Sequence, residues 1–341
     1  MIEVVDQIFK AVFGTIVIGV FAIIIALFYK GIDRKIAARM QSRVGPPVRQ
    51  PFRDIIKLFL KENIVPRHAT KWLFNLSPVI ALASTITILL YLPIGSFGPI
   101  LSTEGDLILI LYLLIIPSLA MILGGFASGS PYATIGAQRE MVLMMSLEFP
   151  LAVVIVSLAW RLKEAAVSNP FSLVSISSNP IWNNVGIIGI VGCLILLLVL
   201  LLITPGELSK IPFDVPEAET EIAEGLLAEY SGRNLAMFYL ADAVKTIVVA
   251  SLVVALFFPY NLSPFFSLSG IGAYIVDFLF YLFKLFLVIL FAVTMVRVGV
   301  ARLKIDQVTS VYWINLTLLA LIGLVLLMFD KILIIKGILI F

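Results

Sequence analysis

The chain has 341 residues, 61% of them hydrophobic and 13% charged, with a formal net charge of +3. Soluble domains carry about 25% charged residues, so this composition excludes a water-soluble fold, and so small a net charge gives nucleic-acid binding no support. One cysteine and one histidine are too few for the four ligands of a structural zinc or an iron–sulfur cluster, which puts any redox cofactor on partner chains.

A bilayer core takes about 20 helical residues. Apolar runs of that order fall at 11–30, 72–94, 106–126, 140–160, 184–204, 237–259, 274–296 and 311–330. They predict an all-α integral membrane protein of about eight transmembrane helices, a single domain over 1–341. The first run follows the acidic start MIEVVDQIFK, which has neither a short positive leader nor a small-residue cleavage site, so the first span is expected to be retained.

After the first run, residues 31–71 carry ten Lys or Arg residues, whereas 95–105 and 260–273 carry none. The positive-inside rule places 31–71 in the cytoplasm. Alternation then puts Arg139, Lys210, Arg233, Arg297, Arg302 and Lys304 inside, and Lys10, Arg161, Lys163, Lys331, Lys336 and both termini outside. Within 31–71, PFRDIIKLFLKE spaces Phe52, Ile55, Ile56, Phe59 and Leu60 along one helical face, with Arg53, Asp54, Lys57 and Lys61 around the other. Such a helix is too short to span and is expected to lie along the interface, against membrane lipid. The preceding RVGPPVRQP forces a non-helical approach. His68, in VPRHATKW at the foot of the second run, reads as structural.

In the fourth run Glu148 stands two residues before Pro150, which can open the helix locally. An acid at that depth is costly and is taken as functional. Glu140, at the start of the run, lies nearer water. In the fifth run Cys193 reads as a small core hydrophobe. The segment 205–236 holds seven acids (Glu207, Asp214, Glu217, Glu219, Glu221, Glu224 and Glu229) against Lys210 and Arg233. A solvated acidic loop is the plain reading, but the interleaved Ile211, Phe213, Val215, Ile222 and Leu226 have no place in one. Packed carboxylates disfavour each other's ionised forms, and desolvation raises their pKa values, producing groups that exchange protons near neutral pH. Asp242 and Lys245 lie three residues apart in the sixth run, and Asp277 and Lys284 seven apart in the seventh. Each pair shares a helical face and is either a structural salt bridge or a step in a proton path.

Three segments carry a resemblance: RVGPPVRQPFRDIIKLFLKE at 43–62, SPYATIGAQREMVLMMSLEFPL at 130–151 and IPFDVPEAETEIAEGLLAEYSG at 211–232, with a fainter RVGVARLKIDQ at 297–307. Together they resemble the respiratory NADH dehydrogenase subunit 1 family, the heel subunit of complex I, and its relatives in energy-converting membrane-bound NiFe hydrogenases. The resemblance implies eight helices that cradle a peripheral subunit bearing the terminal iron–sulfur cluster, beside a catalytic large subunit. It also implies acids that link redox chemistry to ion pumping in antiporter-like membrane subunits.

Position by position, Glu148, Asp214, Glu217, Glu219 and Glu224 match the family's coupling acids. Asp54, Lys57 and Glu62 match its interfacial helix, and Arg43, Arg139 and Arg302 match basic positions facing the peripheral arm. Quinone-dependent members show an Asn after the first Gly-Pro and then a second Gly-Pro; here Gly45, Pro46, Pro47, Val48 and Arg49 break that pattern, which counts against a quinone path. The run Gln138, Arg139, Glu140 also looks more like the hydrogenase branch. The expected function is therefore that of a plasma-membrane subunit coupling ferredoxin-linked hydrogen evolution, or a related reduction, to H⁺ or Na⁺ translocation. The alternatives are a quinone- or methanophenazine-binding subunit and, of another class, a stand-alone secondary transporter.

Overall fold

The computed structural model describes residues 2–102, 105–165, 169–267 and 269–335; Lys336, expected on the outer side, lies outside the described residues. Eight helices in it are long and apolar enough to cross a membrane: Phe13–Met40, Lys71–Leu89, Asp106–Ala127, Pro131–Glu164, Ile187–Glu207, Gly232–Phe257, Ile271–Gly299 and Ile305–Leu333. They are called here the first to eighth spans. Between the first and second lies the short helix Gln50–Leu60, the interfacial helix expected from its amphipathic pattern.

Residues far apart in sequence meet as alternating spans require. On the near face, which carries the interfacial helix, the Leu303 N–H donates to the Pro212 carbonyl at 3.1 Å. On the far face Arg161 pairs with Asp330 and Lys331 reaches Glu164. Loop 208–231, with its acids, lies on the near face.

Several boundaries differ from the apolar runs, and in each case the cause is local. The first span continues to Met40 because a helix satisfies its own backbone; charged Arg34, Lys35 and Arg39 do not end it, and the first breakers are Gly45 and Pro46. The fourth span starts at Pro131, where the missing proline N–H is harmless. The fifth runs on to Glu207, which takes that acid out of the loop. The seventh and eighth each contain a π-helical turn, Ile289–Thr294 and Val311–Leu316. Next to each, a threonine hydroxyl donates to the carbonyl five residues earlier: Thr294 to Ile289 at 3.4 Å and Thr317 to Tyr312 at 3.0 Å. The wider turn re-aims the side chains that follow it.

The sixth span is the axis of the bundle: 89% of its most apolar stretch is buried, against 33–50% for the other spans. Ala236, Ala241, Ala243, Ala250, Ser251 and Ala255 line it. Small side chains let neighbouring helices approach closely, the usual basis of packing where lipid supplies no hydrophobic drive between helices. Cys193 is fully buried in this interior.

Loop 208–231 is folded rather than solvated. Two 3-10 turns, Val215–Glu217 and Gly225–Leu227, flank the helical turn Glu219–Ile222. Ala223, Glu224 and Gly225 all take positive φ, at 49°, 66° and 45°. For non-glycine residues that backbone costs roughly 1–2 kcal/mol each. At Gly225 a Cβ would lie 2.3 Å from the Pro216 carbonyl oxygen, so only glycine fits. What holds the strained stretch is the burial beyond it: Leu226 and Leu227 enter a core with Phe74, Ala137 and Phe238. Tyr230 stacks on Phe74 at 4.1 Å, with its hydroxyl against Ser77.

Candidate functional site: a charged cavity beneath the acidic loop

The interleaved apolar residues fold loop 208–231 over the near-face ends of the spans, and a cavity of about 330 Å³ opens beneath it. Six cations line it: Lys30, Arg34, Lys210, Lys245, Arg297 and Arg302. So do six carboxylates: Asp33, Glu207, Asp214, Glu217, Glu219 and Asp242. Charges so placed survive only by pairing, since an isolated ion removed from water carries a penalty of several kcal/mol.

Asp242 is the hub. It accepts from Lys30 Nζ at 2.8 Å and from Lys210 Nζ at 2.8 and 2.9 Å, so one carboxylate joins the first span, the acidic loop and the sixth span. Deeper in, Lys245 pairs with Glu207 at 2.9 Å and donates to Ser118 at 3.2 Å. Glu140, buried beside them, accepts from the Ser209 hydroxyl at 3.4 Å. At the rim Asp33 accepts from Thr294 at 2.6 Å and Arg297 at 3.2 Å, a contact set up by the π turn of the seventh span. Arg302 closes on Asp214 at 2.5 Å and on Thr220 at 3.2 Å.

Two loop groups have displaced acid–base behaviour. Burial raises the Glu217 carboxyl to about 7; Asp242 and Glu140 push it further, and Lys210 and Lys30 hold it back. For Lys210, burial alone would lower the pKa, but Asp242 and Glu217 outweigh it and hold the ammonium above its ordinary value. A carboxyl poised near neutrality thus faces an ammonium that stays charged.

The expected residues divide as follows. Asp214, Glu217, Glu219, Asp242 and Lys245 line the cavity, and Glu140 is buried next to it. Glu148, half-buried on the fourth span, does not line it but is close enough to Glu207 for their charges to interact. Glu224 is exposed at the strained turn. Arg139 pairs with Glu221 at 2.6 Å and Asp54 with Arg34 at 3.0 Å. Arg43, Lys57 and Glu62 are exposed on the near face.

Neither same-helix pair forms. Asp242 and Lys245 turn to different neighbours, because partners from other helices approach each more directly than the i+3 position does. Asp277 instead binds the hydroxyls of Ser96 and Ser263 and the N–H groups of Leu262 and Ser263, while Lys284 donates to the carbonyls of Phe258 and Tyr260. Both tie down far-face loops, at the opposite end of the bundle from the cavity.

Lys30, Asp33, Glu207 and Lys210 escaped selection from sequence as site residues, though each is central here. Lys30, Asp33 and Glu207 sit at the ends of apolar runs, where a charge reads as a boundary marker. Also unforeseen was Asp330, fully buried on the eighth span, which pairs with Arg161 at 3.0 Å and accepts from the Gly186 N–H at 3.0 Å. Among the described residues no group of three or more His, Cys, Asp or Glu side chains is arranged to hold a metal ion.

Residues 13–328 match the family model described as NADH dehydrogenase. The chain is 32% identical over 305 residues to hydrogenase-4 component C of Escherichia coli (strain K12), covering 89% of this chain and 92% of that one. It is equally 32% identical over 306 residues to a membrane component of the NADH-quinone oxidoreductase of Brevibacillus brevis, covering 86% and 85% respectively. Among solved structures it superposes on a chain of the membrane-bound sulfane sulfur reductase, an archaeal respiratory membrane complex, with a TM-score of 0.80 and 27% identity over 94% of this chain and 99% of that chain. With eight membrane-crossing helices, a charged cavity under a folded acidic loop and a family match spanning nearly its whole length, the chain belongs to the NADH dehydrogenase family of membrane subunits.

Proposed function

We propose that this chain is the membrane subunit of a redox-driven ion pump, and that its cavity converts a change of charge at the near face into ion movement through the bundle. The observation that carries this reading is the shared carboxylate of Asp242, held by Lys30 and Lys210 at once, with Glu217 poised near neutrality beside it. A carboxylate with two partners can release one at small net loss, whereas a single buried pair cannot. Added negative charge at the near face favours protonated Glu217 and draws Lys210 outward, leaving Asp242 to Lys30. Removing that charge reverses both moves. At an effective dielectric of about 20, a unit charge 4 Å away is worth roughly 4 kcal/mol, enough to shift such a balance.

The redox groups belong to partners. Iron–sulfur clusters need several thiolates, and the chain has one cysteine, Cys193, buried inside the fifth span. On a peripheral iron–sulfur subunit and a catalytic large subunit seated over the near face, such clusters would supply the electron. Exposed Arg43, Lys57 and Glu62 and the half-exposed pairs of Arg139 and Arg302 offer the docking surface. The ten cations of 31–71 put that face in the cytoplasm. Antiporter-like membrane subunits would carry the ions onward.

The cavity walls fit a quinone poorly: six cations and six carboxylates surround the space, where an aromatic headgroup asks for mostly apolar walls. We therefore favour the hydrogenase-type or sulfur-reducing branch over a quinone-reducing one. The test is to purify the complex from its native membrane in mild detergent, identify the copurifying subunits and assay iron, nickel and quinone. Iron with a peripheral subunit, and no quinone, is the expected result. A chain that purifies alone and moves a solute without redox partners overturns the proposal.

A further inference from the structure

A second cavity, of about 360 Å³, lies between the interfacial helix and the first and sixth spans, within the range of small-molecule pockets (~300–1,000 Å³). Its cations are Lys30, Arg34, Lys57 and Lys61, set against the single carboxylate of Asp54. Lys30 is engaged by Asp242 and Arg34 by Asp54. Lys57 and Lys61 have no ion pair among the described residues and stand exposed at the mouth. The rest of the wall is largely apolar, with Leu27, Ile55, Leu58 and Leu235. The cleft thus combines two uncommitted ammonium groups with greasy sides.

The helix that frames it is built for a membrane surface. Pro51, Ile55 and Leu58 are buried against the bundle, while Ile56 and Leu60 are 60% and 83% exposed. Arg49, Arg53, Lys57 and Lys61 recur every fourth residue beside them. Apolar side chains without a protein partner, alternating with a basic stripe, are what a helix at an anionic lipid surface presents. The end of the helix is fixed to the bundle: a Cβ on Gly232, whose φ is +53°, would lie 2.5 Å from the Glu62 carbonyl oxygen. Lys61 is therefore held in place at the mouth.

We infer that this cleft binds one anionic phospholipid, its phosphate headgroup between Lys57 and Lys61 and its acyl chains along the exposed face of the interfacial helix. Four cations against one carboxylate call for an anion, and the adjoining apolar wall calls for an amphiphile rather than a free ion. Lys30, Arg34 and Tyr239 line both this cleft and the charged cavity, so the bound headgroup lies one side chain away from the Asp242 hub. The inference does not depend on the redox reading and requires only that the chain sits in a bilayer.

The test uses the purified complex, stripped of lipid by detergent and titrated with phosphatidylglycerol, with phosphatidylcholine of the same chains, and with inorganic phosphate, bound lipid being read by native mass spectrometry. Saturable binding of phosphatidylglycerol is expected, and each cation near an anionic surface contributes enough that Lys57→Glu with Lys61→Glu weakens it by about 30-fold or more. Arg53→Glu, on the same helix but outside the cleft, leaves binding unchanged. If the double charge reversal prevents assembly, Lys57→Gln with Lys61→Gln serves instead, with a smaller loss in the same direction. Equal binding of phosphatidylcholine overturns the inference. So does displacement of phosphatidylglycerol by phosphate alone, or wild-type affinity in the lysine variants.

Discussion

At the far face Arg161 and Asp330 meet in a dry contact at 3.0 Å, with side-chain exposures of 4% and 0%, and Asp277 is saturated by hydroxyl and backbone donors. At the near face Asp242 is shared between two lysines, with side chains 21–26% exposed around a cavity of about 330 Å³. Buried charge is thus handled in two ways within one bundle. The far-face groups have partners and no room to leave them, so they fix helices and loops. The near-face groups have alternative partners and space to change them, so they can respond. It is this choice of partners, more than burial, that separates a structural charge from a working one.

Breaking the far-face pair should have the largest effect on the protein itself. Asp330→Ala leaves the Arg161 guanidinium buried without a counter-ion, a loss of about 3–5 kcal/mol, read as a large drop in thermal stability in detergent or failure to assemble. Replacing both Arg161 and Asp330 with leucine should recover most of that loss. A double variant no better than the single would show that the site does more than join helices.

At the near face the order reverses, with function more sensitive than stability. Asp242→Asn leaves Lys30 and Lys210 facing each other without their shared anion, and ion translocation should fall by about tenfold or more, equivalent to at least ~1.4 kcal/mol. The melting temperature should move less than in Asp330→Ala, because both lysines can reach water in the cavity.

Glu217 sharpens the comparison through pH. Its carboxyl lies at about 7 in the folded chain against an ordinary 4.5, so the native state holds a proton that the unfolded chain has lost. Its stabilising share is complete below about 4.5 and disappears as pH rises toward 7. Wild type should therefore lose stability as pH climbs through that window, and Glu217→Gln should flatten that part of the curve. Melting temperatures across the range read the difference. The smallest effect belongs to the surface: Glu221→Gln removes a pair with Arg139 in which the Glu221 side chain is 50% exposed, and stability should change by no more than about 1 kcal/mol.

Much of this architecture was legible in the sequence. All eight spans follow from apolar run length, and the interfacial helix from its period. The acids of the loop were recognisable because apolar residues between them had no use in water. What sequence did not yield was pairing. Lys30 meets Asp242 across 212 residues of separation, a contact that no helical period encodes. Local spacing pointed instead to Asp242 with Lys245 and Asp277 with Lys284, and in both cases partners from other elements prevailed. Asp33 reaches Thr294 and Arg297 through a π turn, whose extra width shifts the face that a simple helical count assigns. Charges at the ends of runs, Lys30 and Glu207 above all, read as boundaries because helices that carry their own hydrogen bonds extend past the hydrocarbon.

The most direct test of the central claim is the number of ions moved per electron in the intact complex reconstituted into sealed vesicles, compared between wild type and Asp242→Asn. Electron transfer through the partner subunits should persist while ion uptake falls to background. An assembled Asp242→Asn complex that pumps at the wild-type ratio would contradict it.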